Sequence, residues 1–400
     1  MILIKGRKRW RALLSRCGVY PRGVPNNSVW LHALGPGEMR VAIALVLALP
    51  QDLPVVITSD GSNHGFAQAA LGGRVELASI PLPFLFAWRR FLRRYSPRQL
   101  ILIEATGLFP LLCLHLLGWE IPTALVNGWF TKEWLAVDRC SPLVERVQLF
   151  GVRDEGDRER LAGTGVGRER ISVTGDVKFD ATAPPLPGIE AEIRTLAGER
   201  PILIAGSTHS EEDGQILDAF ERLGGGDRAL LILAPRHGFD RTDKLLRERD
   251  LDFVRRSRFP AQGRPSVVLL DSMGELASLY RHAAAVFVGY SLTPRGGGHN
   301  PIEPARFAVP IAVGPYTSNF QFHADLFDRA GAWQRVASAE ELARVWGAWL
   351  DDLELARQMG RRAADVVELE RGLATSRTLA LLKPFLGLDD DGVWYVPAPG

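Results

Sequence analysis

Residues 29–38 read VWLHALGPGE, and this segment shows how the chain is built. Five of its first six residues are apolar, which is typical of a strand that is buried on both faces. Two glycines and a proline then allow the backbone to turn, and Glu38 is predicted to fall in the first turn of the next helix. A buried strand that leads directly into a helix predicts a parallel sheet covered by helices.

The same alternation of short apolar runs and helical patterns recurs along the chain. In the first half the predicted strands are Val29–Leu34, Val55–Ser59, Val75–Ile80, Leu100–Glu104, Thr123–Asn127, Gln148–Val152 and Ser172–Gly175. The Pro-rich stretch Ala181–Pro187 is interpreted as a linker. After it the predicted strands are Ile202–Ala205, Leu230–Ala234, Val267–Leu270, Val286–Val288 and Ile311–Val313. The final stretch, Ser338–Leu386, is helical in pattern.

Two α/β domains are therefore predicted, because 400 residues exceed what one hydrophobic core usually serves. We expect two Rossmann-like domains facing a central cleft, at residues 1–181 and 188–370. A C-terminal helix and tail at 371–400 is expected to cross back and pack on the N-terminal domain. In such sheets ligands bind beyond the carboxyl ends of the strands, so the polar residues there are the candidates.

The composition excludes several classes of protein. With 48 basic and 46 acidic side chains the net charge is +2, so the chain is not a polycation that coats nucleic acid. The three cysteines are widely spaced and predict neither a disulfide framework nor a metal site. The longest apolar runs, Val41–Pro50 and Leu108–Trp119, are too short to cross a bilayer. We expect a soluble or peripherally bound intracellular protein with no metal and no other cofactor.

Two stretches of the N-terminal half mix basic and large apolar residues. Six basic residues lie among the first sixteen, with no acid: Lys5, Arg7, Lys8, Arg9, Arg11 and Arg16. The second stretch, Pro83–Arg94, combines Trp88 and other apolar residues with Arg89, Arg90, Arg93 and Arg94. Such helices can lie on an anionic membrane surface or bind a lipid-bearing substrate. The alternative is an Arg-rich solvated face over a buried apolar stripe.

Polar residues follow the predicted strands in both halves. Glu38 is either a helix-start glutamate stabilised by the helix dipole or a general base. Ser207 and Thr208 begin one loop, in which Thr208 and Glu211 have the spacing of a capping box. Ser272 and Glu275 have the same spacing in another loop. Both loops are either capped helix starts or sites for a phosphate.

The most distinctive stretch is residues 289–304, GYSLTPRGGGHNPIEP. Its three consecutive glycines allow close approach of a ligand to the backbone. Asn300 and Glu303 follow at a predicted helix start, where Glu303 could accept hydrogen bonds from a ribose diol. In Pro235-Arg236-His237, Arg236 at a strand end could bind a phosphate, although such an arginine is more often part of a surface ion pair.

From about Pro21 to Leu386 the chain resembles the 3-deoxy-D-manno-octulosonic acid (Kdo) transferases of lipopolysaccharide synthesis. The resemblance rests on motifs in a fixed order. They are Trp30-Leu31-His32-Ala33 with Gly37-Glu38, the segment from Thr174 to Asp180, Ser207-Thr208-His209, Pro235-Arg236-His237, the segment from Asp271 to Leu276, the segment from Gly297 to Glu303, and Gly314-Pro315-Tyr316 with Asn319-Phe320.

The resemblance implies a GT-B fold and an inverting, metal-independent transfer of Kdo from CMP-Kdo to a lipid A precursor. It implies that Glu38 is the catalytic base and that Lys178 stabilises the transition state. The predicted donor-binding residues are Ser207, Thr208, Pro235, Arg236, His237, Met273, Gly274, Glu275, Asn300 and Glu303. The N-terminal domain is expected to bind the acceptor. The protein is expected to be peripheral, at the cytoplasmic face of the bacterial inner membrane, with no transmembrane helix and no nucleic-acid partner.

Three departures from the family pattern fall in the N-terminal half. The family has Glu-Thr-Glu where this chain has Ala105, Thr106 and Gly107, and Glu104 is the candidate substitute for the lost carboxylates. Trp129 stands where the family has an arginine. An apolar membrane anchor, common in the family, is not evident. Two alternatives follow: a non-catalytic or altered-acceptor paralogue of the family, or a sugar-nucleotide epimerase of the same architecture.

Overall fold

The computed structural model describes residues 14–20, 27–61, 63–104, 108–130, 142–180 and 187–388. The chain divides into two compact units. Unit 1 comprises Met1–Thr182 with Glu370–Gly400, and unit 2 is Ala183–Leu369. The predicted linker falls almost wholly at 181–186, outside the described residues, and Pro187 already begins a helix.

Unit 1 is built around a parallel sheet that has seven strands in the described residues. The strands are β1 (Val29–His32), β2 (Val55–Ser59), β3 (Glu76–Ser79), β4 (Gln99–Ile103), β5 (Thr123–Gly128), β6 (Val147–Val152) and β7 (Ile171–Val173). Their order is β3-β2-β1-β4-β5-β6-β7. The order reverses between β1 and β4, and such a reversal is where Rossmann-like sheets bind ligands.

Helices cover both faces of this sheet because its central strands are apolar on both sides. They are α1 (Pro36–Ala48), α2 (His64–Leu71), α3 (Leu85–Tyr95), α4 (Phe109–Leu117), α5 (Pro142–Glu145) and α6 (Glu155–Ala162). One core contains Leu31 of β1 with residues of α1 and α2. The other contains Trp30, on the opposite face of β1, with residues of α3 and α4.

Unit 2 repeats the architecture with a second parallel sheet, again of seven strands in the described residues. The strands are β8 (Ile202–Thr208), β9 (Leu230–Pro235), β10 (Phe253–Arg255), β11 (Val267–Leu269), β12 (Ala285–Val288), β13 (Ile311–Val313) and β14 (Gln334–Arg335). Their order is β10-β11-β9-β8-β12-β13-β14, so it reverses between β8 and β12.

The second sheet is covered by a further set of helices. They are α7 (Pro187–Ala197), α8 (Asp213–Arg222), α9 (Gly225–Arg228), α10 (Phe239–Glu248), α11 (Leu276–Leu279), α12 (Ile302–Ala305), α13 (Gln321–Arg329), α14 (Ala339–Asp351) and α15 (Leu353–Glu370). A last helix, α16 (Leu373–Leu386), belongs to unit 1. Each helix among the described residues is too short or too polar to cross a lipid bilayer.

Helix α16 joins the core of unit 1 although it follows all of unit 2 in sequence. Ala374, Leu382 and Leu386 are buried with residues of α1. At its first turn, Asp180 accepts hydrogen bonds from the backbone N–H groups of Gly372 and Thr375. These contacts explain why the chain returns to its N-terminal half.

The α/β prediction with two parallel sheets is confirmed, and all twelve predicted strands are present, with ends that differ by at most three residues. Strands β10 and β14 were not predicted. Each has at most three residues and none is fully buried, so neither carries an apolar run. The two predicted capping boxes are wrong, because α8 begins at Asp213 and α11 at Leu276, beyond the predicted first turns.

Candidate active site

Glu38 lies in the first turn of α1, directly after the carboxyl end of β1. Its Oε2 accepts hydrogen bonds from the backbone N–H groups of Leu34 and, at 3.2 Å, Gly35. The side chain is buried. Glu38 therefore stabilises the helix start, as the simpler interpretation predicted, and it does so at the position where the strand order reverses. A capping contact of this kind is compatible with a catalytic role.

Lys178 and Glu104 form a buried ion pair beside this helix start. The Lys178 Nζ lies 2.5 Å from Glu104 Oε1, and both side chains are nearly inaccessible. Lys178 also packs against α1, because a Cβ on Gly37 would lie 3.5 Å from its Cε. The structure thus brings the three predicted catalytic residues, Glu38, Lys178 and Glu104, to the carboxyl edge of one sheet.

Asn127, at the end of β5, holds the turn that carries Lys178. Its Oδ1 accepts a hydrogen bond from the backbone N–H of Val177 at 2.7 Å, and its Nδ2 donates to Asp176 Oδ1 at 3.0 Å. Asp176 Oδ1 also accepts from the backbone N–H of Lys178 at 2.9 Å. Asn127 is completely buried. No role was predicted for Asn127, because its partners lie about fifty residues away in the chain.

Trp129 takes part in the same network. Its Nε1–H donates to Glu104 Oε2 at 3.2 Å, and the Arg153 guanidinium lies 5.1 Å from the centre of its ring. Arg153 is itself within 3.7 Å of Asp176 Oδ2. An uncharged N–H donor therefore contacts Glu104 at the position where the family has an arginine. Ala105 and Gly107, the other departures, lie outside the described residues.

His32, the last residue of β1, is buried beside Thr58. The Thr58 Oγ1 lies 2.8 Å from both His32 Nδ1 and Trp30 Nε1. Because the indole can only donate to this hydroxyl, the hydroxyl proton is available for the imidazole. Burial lowers the pKa of His32 to about 4, so the ring is neutral at pH 7.

In unit 2, the predicted donor-binding residues follow β8 and β9. Pro235 is the buried end of β9, Arg236 is half-buried and His237 is exposed. No ion pair to Arg236 is found within the described part of the chain, which argues against the surface-pair interpretation. Ser207 has φ +57°. Thr208 is instead internal: it is completely buried, and its hydroxyl donates to Asp213 at 2.6 Å.

Glu212 was missed by the sequence analysis and organises this loop. Its carboxylate accepts hydrogen bonds from the backbone N–H groups of four residues: His209, Tyr290, Ser291 and Leu292. The side chain is completely buried. Glu212 therefore joins the loop after β8 to the loop after β12. Its sequence signal is only an acid before a helix start, since three of its partners lie at least 78 residues away.

The glycine-rich loop after β12 is shaped by contacts within the protein. A Cβ on Gly296 would lie 2.3 Å from the carbonyl oxygen of Tyr290, and one on Gly297 would lie 2.4 Å from Asn319 Cγ. The glycines are thus required by internal packing. Asn300 Oδ1 accepts a hydrogen bond from the backbone N–H of Ile302 at 2.9 Å, and Glu303 lies half-buried in the first turn of α12.

The predicted donor-binding residues Met273, Gly274 and Glu275 lie between β11 and α11. Met273 is 60% exposed and Gly274 has φ +89°. The Glu275 carboxylate is already paired with the Arg256 guanidinium at 2.9 Å. The exposed Met273 is therefore the member of this segment most available to a ligand.

Helix α3 carries the second basic stretch. Arg89, Arg90 and Arg93 are exposed and Arg94 is half-buried. Trp88, which was assigned to the membrane-facing side, is instead completely buried against Trp30 and Phe91, because it lies on the face of α3 that packs on the sheet. Three large apolar residues at the start of the helix are exposed: Phe84, Leu85 and Phe86.

Lys5, Arg7, Lys8, Arg9 and Arg11 of the first basic stretch lie outside the described residues. Arg16, the sixth basic residue of that stretch, is among the described residues and is half-buried. No group of three or more His, Cys, Asp or Glu side chains suited to a metal ion occurs among the described residues.

The sequence of this chain is similar to those of several known proteins. Residues 11–181 match the family model for 3-deoxy-D-manno-octulosonic-acid transferase (kdotransferase). The chain is 31% identical to the 3-deoxy-D-manno-octulosonic acid transferase of Haemophilus influenzae, over 96% of this chain and 94% of that one. It is 33% identical to the Bordetella pertussis protein of the same name, over 90% and 87%.

A solved structure with the same fold is the putative UDP-N-acetylglucosamine 2-epimerase of Listeria monocytogenes. It covers 93% of this chain and 100% of its own, with a TM-score of 0.62 and 15% identity. At that identity the likeness concerns the fold alone.

Proposed function

The chain belongs to the 3-deoxy-D-manno-octulosonic acid (Kdo) transferase family and is a glycosyltransferase, and from that premise we propose its reaction. It moves Kdo from CMP-Kdo to a lipid A precursor, with inversion at the anomeric carbon and without a metal ion. The observation that carries the proposal is the grouping of Glu38 with the Lys178–Glu104 pair where the strand order of unit 1 reverses.

Glu38 is the proposed base. It removes the proton from the acceptor hydroxyl, whose oxygen then bonds to the anomeric carbon while CMP departs with the electrons of the broken bond. A single displacement of this kind inverts the anomeric centre. Lys178 supplies positive charge in a buried site, where such a charge stabilises a developing anion more strongly than in water.

Unit 2 is proposed to bind the donor. Arg236 suits the phosphate, because a guanidinium binds phosphate oxygens in a bidentate manner. Asn300 and Glu303 lie at one helix start, where Glu303 could accept hydrogen bonds from the ribose hydroxyls. Met273 offers an exposed apolar side chain to the nucleotide.

An altered acceptor is the second candidate, and Trp129 is the observation that favours it. The Trp129 N–H donates to Glu104 at the position where the family has an arginine. An indole cannot neutralise a phosphate as a guanidinium does. The acceptor would then carry less negative charge at this point than a usual lipid A precursor.

Attachment to the cytoplasmic face of the inner membrane is also proposed. The start of α3 combines exposed Phe84 and Phe86 with exposed arginines. Apolar residues beside arginines favour an interface of acyl chains and anionic headgroups.

The test of the reaction is Glu38→Gln. With CMP-Kdo and a tetraacylated lipid A precursor, mass spectrometry should detect the Kdo-bearing product for the wild type, and the variant's rate should fall by about 10²-fold or more. CMP affinity, measured by calorimetry, should be unchanged. Glu120→Gln, at an exposed position of unit 1, is the matched control.

Three outcomes separate the alternatives. Normal turnover by Glu38→Gln would remove Glu38 as the base. A wild type that makes no Kdo-bearing product with any acceptor would indicate a non-catalytic protein. Preferential binding of UMP over CMP would favour a sugar-nucleotide epimerase.

A further inference from the structure

Three histidines lie together at the carboxyl edge of the sheet in unit 2. His209 follows β8, His237 follows β9 and His299 follows β12. These strands are neighbours in the sheet, in the order β9-β8-β12, and the strand order reverses between β8 and β12. The histidines therefore occupy the edge where a sheet of this type binds its ligand. Sequence analysis assigned no role to His209 or His299.

His209 and His299 are in direct contact. Their Nε2 atoms are 3.4 Å apart and their rings are nearly parallel, at an angle of 29°. The Tyr290 ring stacks on His209 with 3.8 Å between ring centres. Glu212 accepts hydrogen bonds from the backbone N–H groups of His209 and Tyr290. His209 is thus held in place by a buried carboxylate and an aromatic ring.

One cation, Arg236, and two acidic residues, Glu211 and Glu212, lie beside the pair. Arg236 and His237 face it from the end of β9, and the His237 ring centre is 6.2 Å from that of His209. Glu211 lies on the same loop as His209, and its negative charge raises the pKa of His209. The Glu212 carboxylate is occupied by its four backbone donors. A guanidinium beside three imidazole rings that can donate hydrogen bonds is suited to a phosphate.

Both imidazoles of the pair favour the neutral state when no anion is near. Burial, with Arg236 and the neighbouring histidines, lowers the pKa of His299 to about 3. Burial and His237 also lower the pKa of His209. In a neutral pair one ring donates its Nε2–H to the other, so one Nδ1 carries no proton. An added proton would enter at that Nδ1, and both rings would then present an N–H donor.

We propose that the His209–His299 pair is a protonatable phosphate site that binds the donor phosphate beside Arg236 and protonates it as the sugar leaves. The inference rests on the proposed function, and it adds both the phosphate-binding residues and a general acid. An incoming phosphate supplies negative charge, which favours uptake of one proton by the pair.

In the proposed transfer step one bond to the anomeric carbon breaks, another forms and two protons move. The bond between the anomeric carbon and the phosphate oxygen breaks, and both electrons remain on that oxygen. The proton of the charged pair moves to the same oxygen, which returns the two histidines to the neutral state. The acceptor oxygen forms the new bond to the anomeric carbon and loses its own proton to Glu38.

Calorimetry with CMP and, separately, UMP tests the site directly. Each titration is run at about pH 7.5 in two buffers of different ionisation enthalpy, because the difference in heat gives the number of protons taken up. We expect net proton uptake when the nucleotide binds, and an affinity that rises as the pH falls from about 8.5 to 6.5. Above that lower limit the nucleotide phosphate remains largely dianionic, since its second pKa is about 6.

Three variants accompany the wild type. His209→Gln and His299→Gln should abolish the proton uptake and flatten the pH dependence of affinity. Each should lower kcat for Kdo transfer by about 10²-fold and shift the pH–rate profile. His282→Gln is the matched control, since His282 pairs with Glu190 in unit 2 and has no place in the site. It should keep both the proton uptake and the activity.

The outcomes are distinct for this inference and for the proposed function. Proton uptake with UMP but not CMP would support the phosphate site and overturn the CMP-Kdo donor. Binding of CMP without proton uptake by the wild type would overturn the site and leave the donor intact. Retained uptake in both glutamine variants, or no uptake with either nucleotide, would also overturn it.

Discussion

Single residues in unfavourable backbone conformations mark the candidate site in both units. Among the described residues, eight residues other than glycine have positive φ. Four of them, Glu104, Asn127, Ser207 and Tyr290, have φ between +56° and +60° and lie within two residues of the carboxyl end of a strand. Residues other than glycine adopt this conformation at a cost, so surrounding contacts must hold them there. Those contacts are present: Asn127 is bonded to Asp176, and the backbone N–H of Tyr290 to Glu212. The strain therefore coincides with the edges where ligands are proposed to bind.

At the residue scale, the Lys178–Glu104 pair yields a prediction. Lys178→Met should lower kcat by about 10²–10³-fold. It should also lower the free energy of unfolding by about 3 kcal/mol, because Glu104 remains buried without its cation. Lys178→Met with Glu104→Gln should recover most of that stability and none of the activity. Transfer assays and urea denaturation measure the two effects.

Lys244→Met is the control for this pair. Lys244 is 77% exposed and lies 3.5 Å from Glu248, so its loss should change neither property. Wild-type turnover by Lys178→Met would show that Lys178 has no part in catalysis.

At the scale of secondary structure, two helices behave differently from what their sequences alone suggest. Helix α3 reads as a membrane-binding helix, yet Trp88 and Phe91 pack in the core and only its arginines and the first apolar residues are exposed. Helix α16 is distant from unit 1 in sequence but completes its core. The buried residues of α3 recur every three or four positions, so this helix matches the alternative interpretation of an Arg-rich solvated face over a buried apolar stripe.

Leu382→Ala tests the packing of α16 on unit 1. The side chain is buried against the core that contains α1, so its truncation should cost about 2–4 kcal/mol of unfolding free energy. Hydrogen exchange in β1 should become faster. Leu373→Ala, at a 42% exposed position of the same helix, should have little effect. Equal effects of the two substitutions would contradict this packing.

Charge reversal on α3 tests the membrane proposal. Arg89→Glu with Arg93→Glu should weaken co-sedimentation with anionic vesicles by about tenfold or more at low salt, since each surface arginine contributes about 1 kcal/mol. Wild-type binding should decrease steeply with salt. Arg344→Glu with Arg357→Glu, at exposed positions of unit 2, is the control. Salt-insensitive binding would indicate that Phe84 and Phe86 insert instead.

On the scale of the whole molecule, the net charge at pH 7 is only +2, so repulsion between like charges contributes little to stability at neutral pH. Individual buried groups matter more. His32 and His299 both have pKa values lowered by burial, to about 4 and about 3. A neutral buried histidine must gain its proton on unfolding in acid, which favours the unfolded state.

The sign of this effect gives a prediction for unit 1. Between about pH 6.5 and pH 4 the unfolded chain binds a proton at His32 that the folded chain does not. The unfolding free energy should therefore fall as the pH falls, by up to about 1.4 kcal/mol per pH unit. His32→Gln should reduce this slope in urea denaturation, while exposed His115→Gln should not. Identical slopes for His32→Gln and wild type would refute the assignment.

The fold class and the sheet edges where ligands are proposed to bind could be predicted from the sequence. Apolar runs such as Val55–Ser59 are local signals, and a buried parallel sheet requires them. The turn before Glu38 is local as well, so its position in the first turn of a helix could be predicted. Strand β14 could not be predicted, because its two polar residues, exposed Gln334 and half-buried Arg335, carry no apolar pattern.

Only the tertiary structure decided which side chains meet. Lys178 reaches Glu104, and Glu212 binds the loop that holds Tyr290, because the order of the strands brings distant loops to one edge. Trp88 is buried because that face of α3 packs on the sheet. The physical reason is common to all of these: strand order and helix packing place distant residues together, and no local pattern in the chain encodes either.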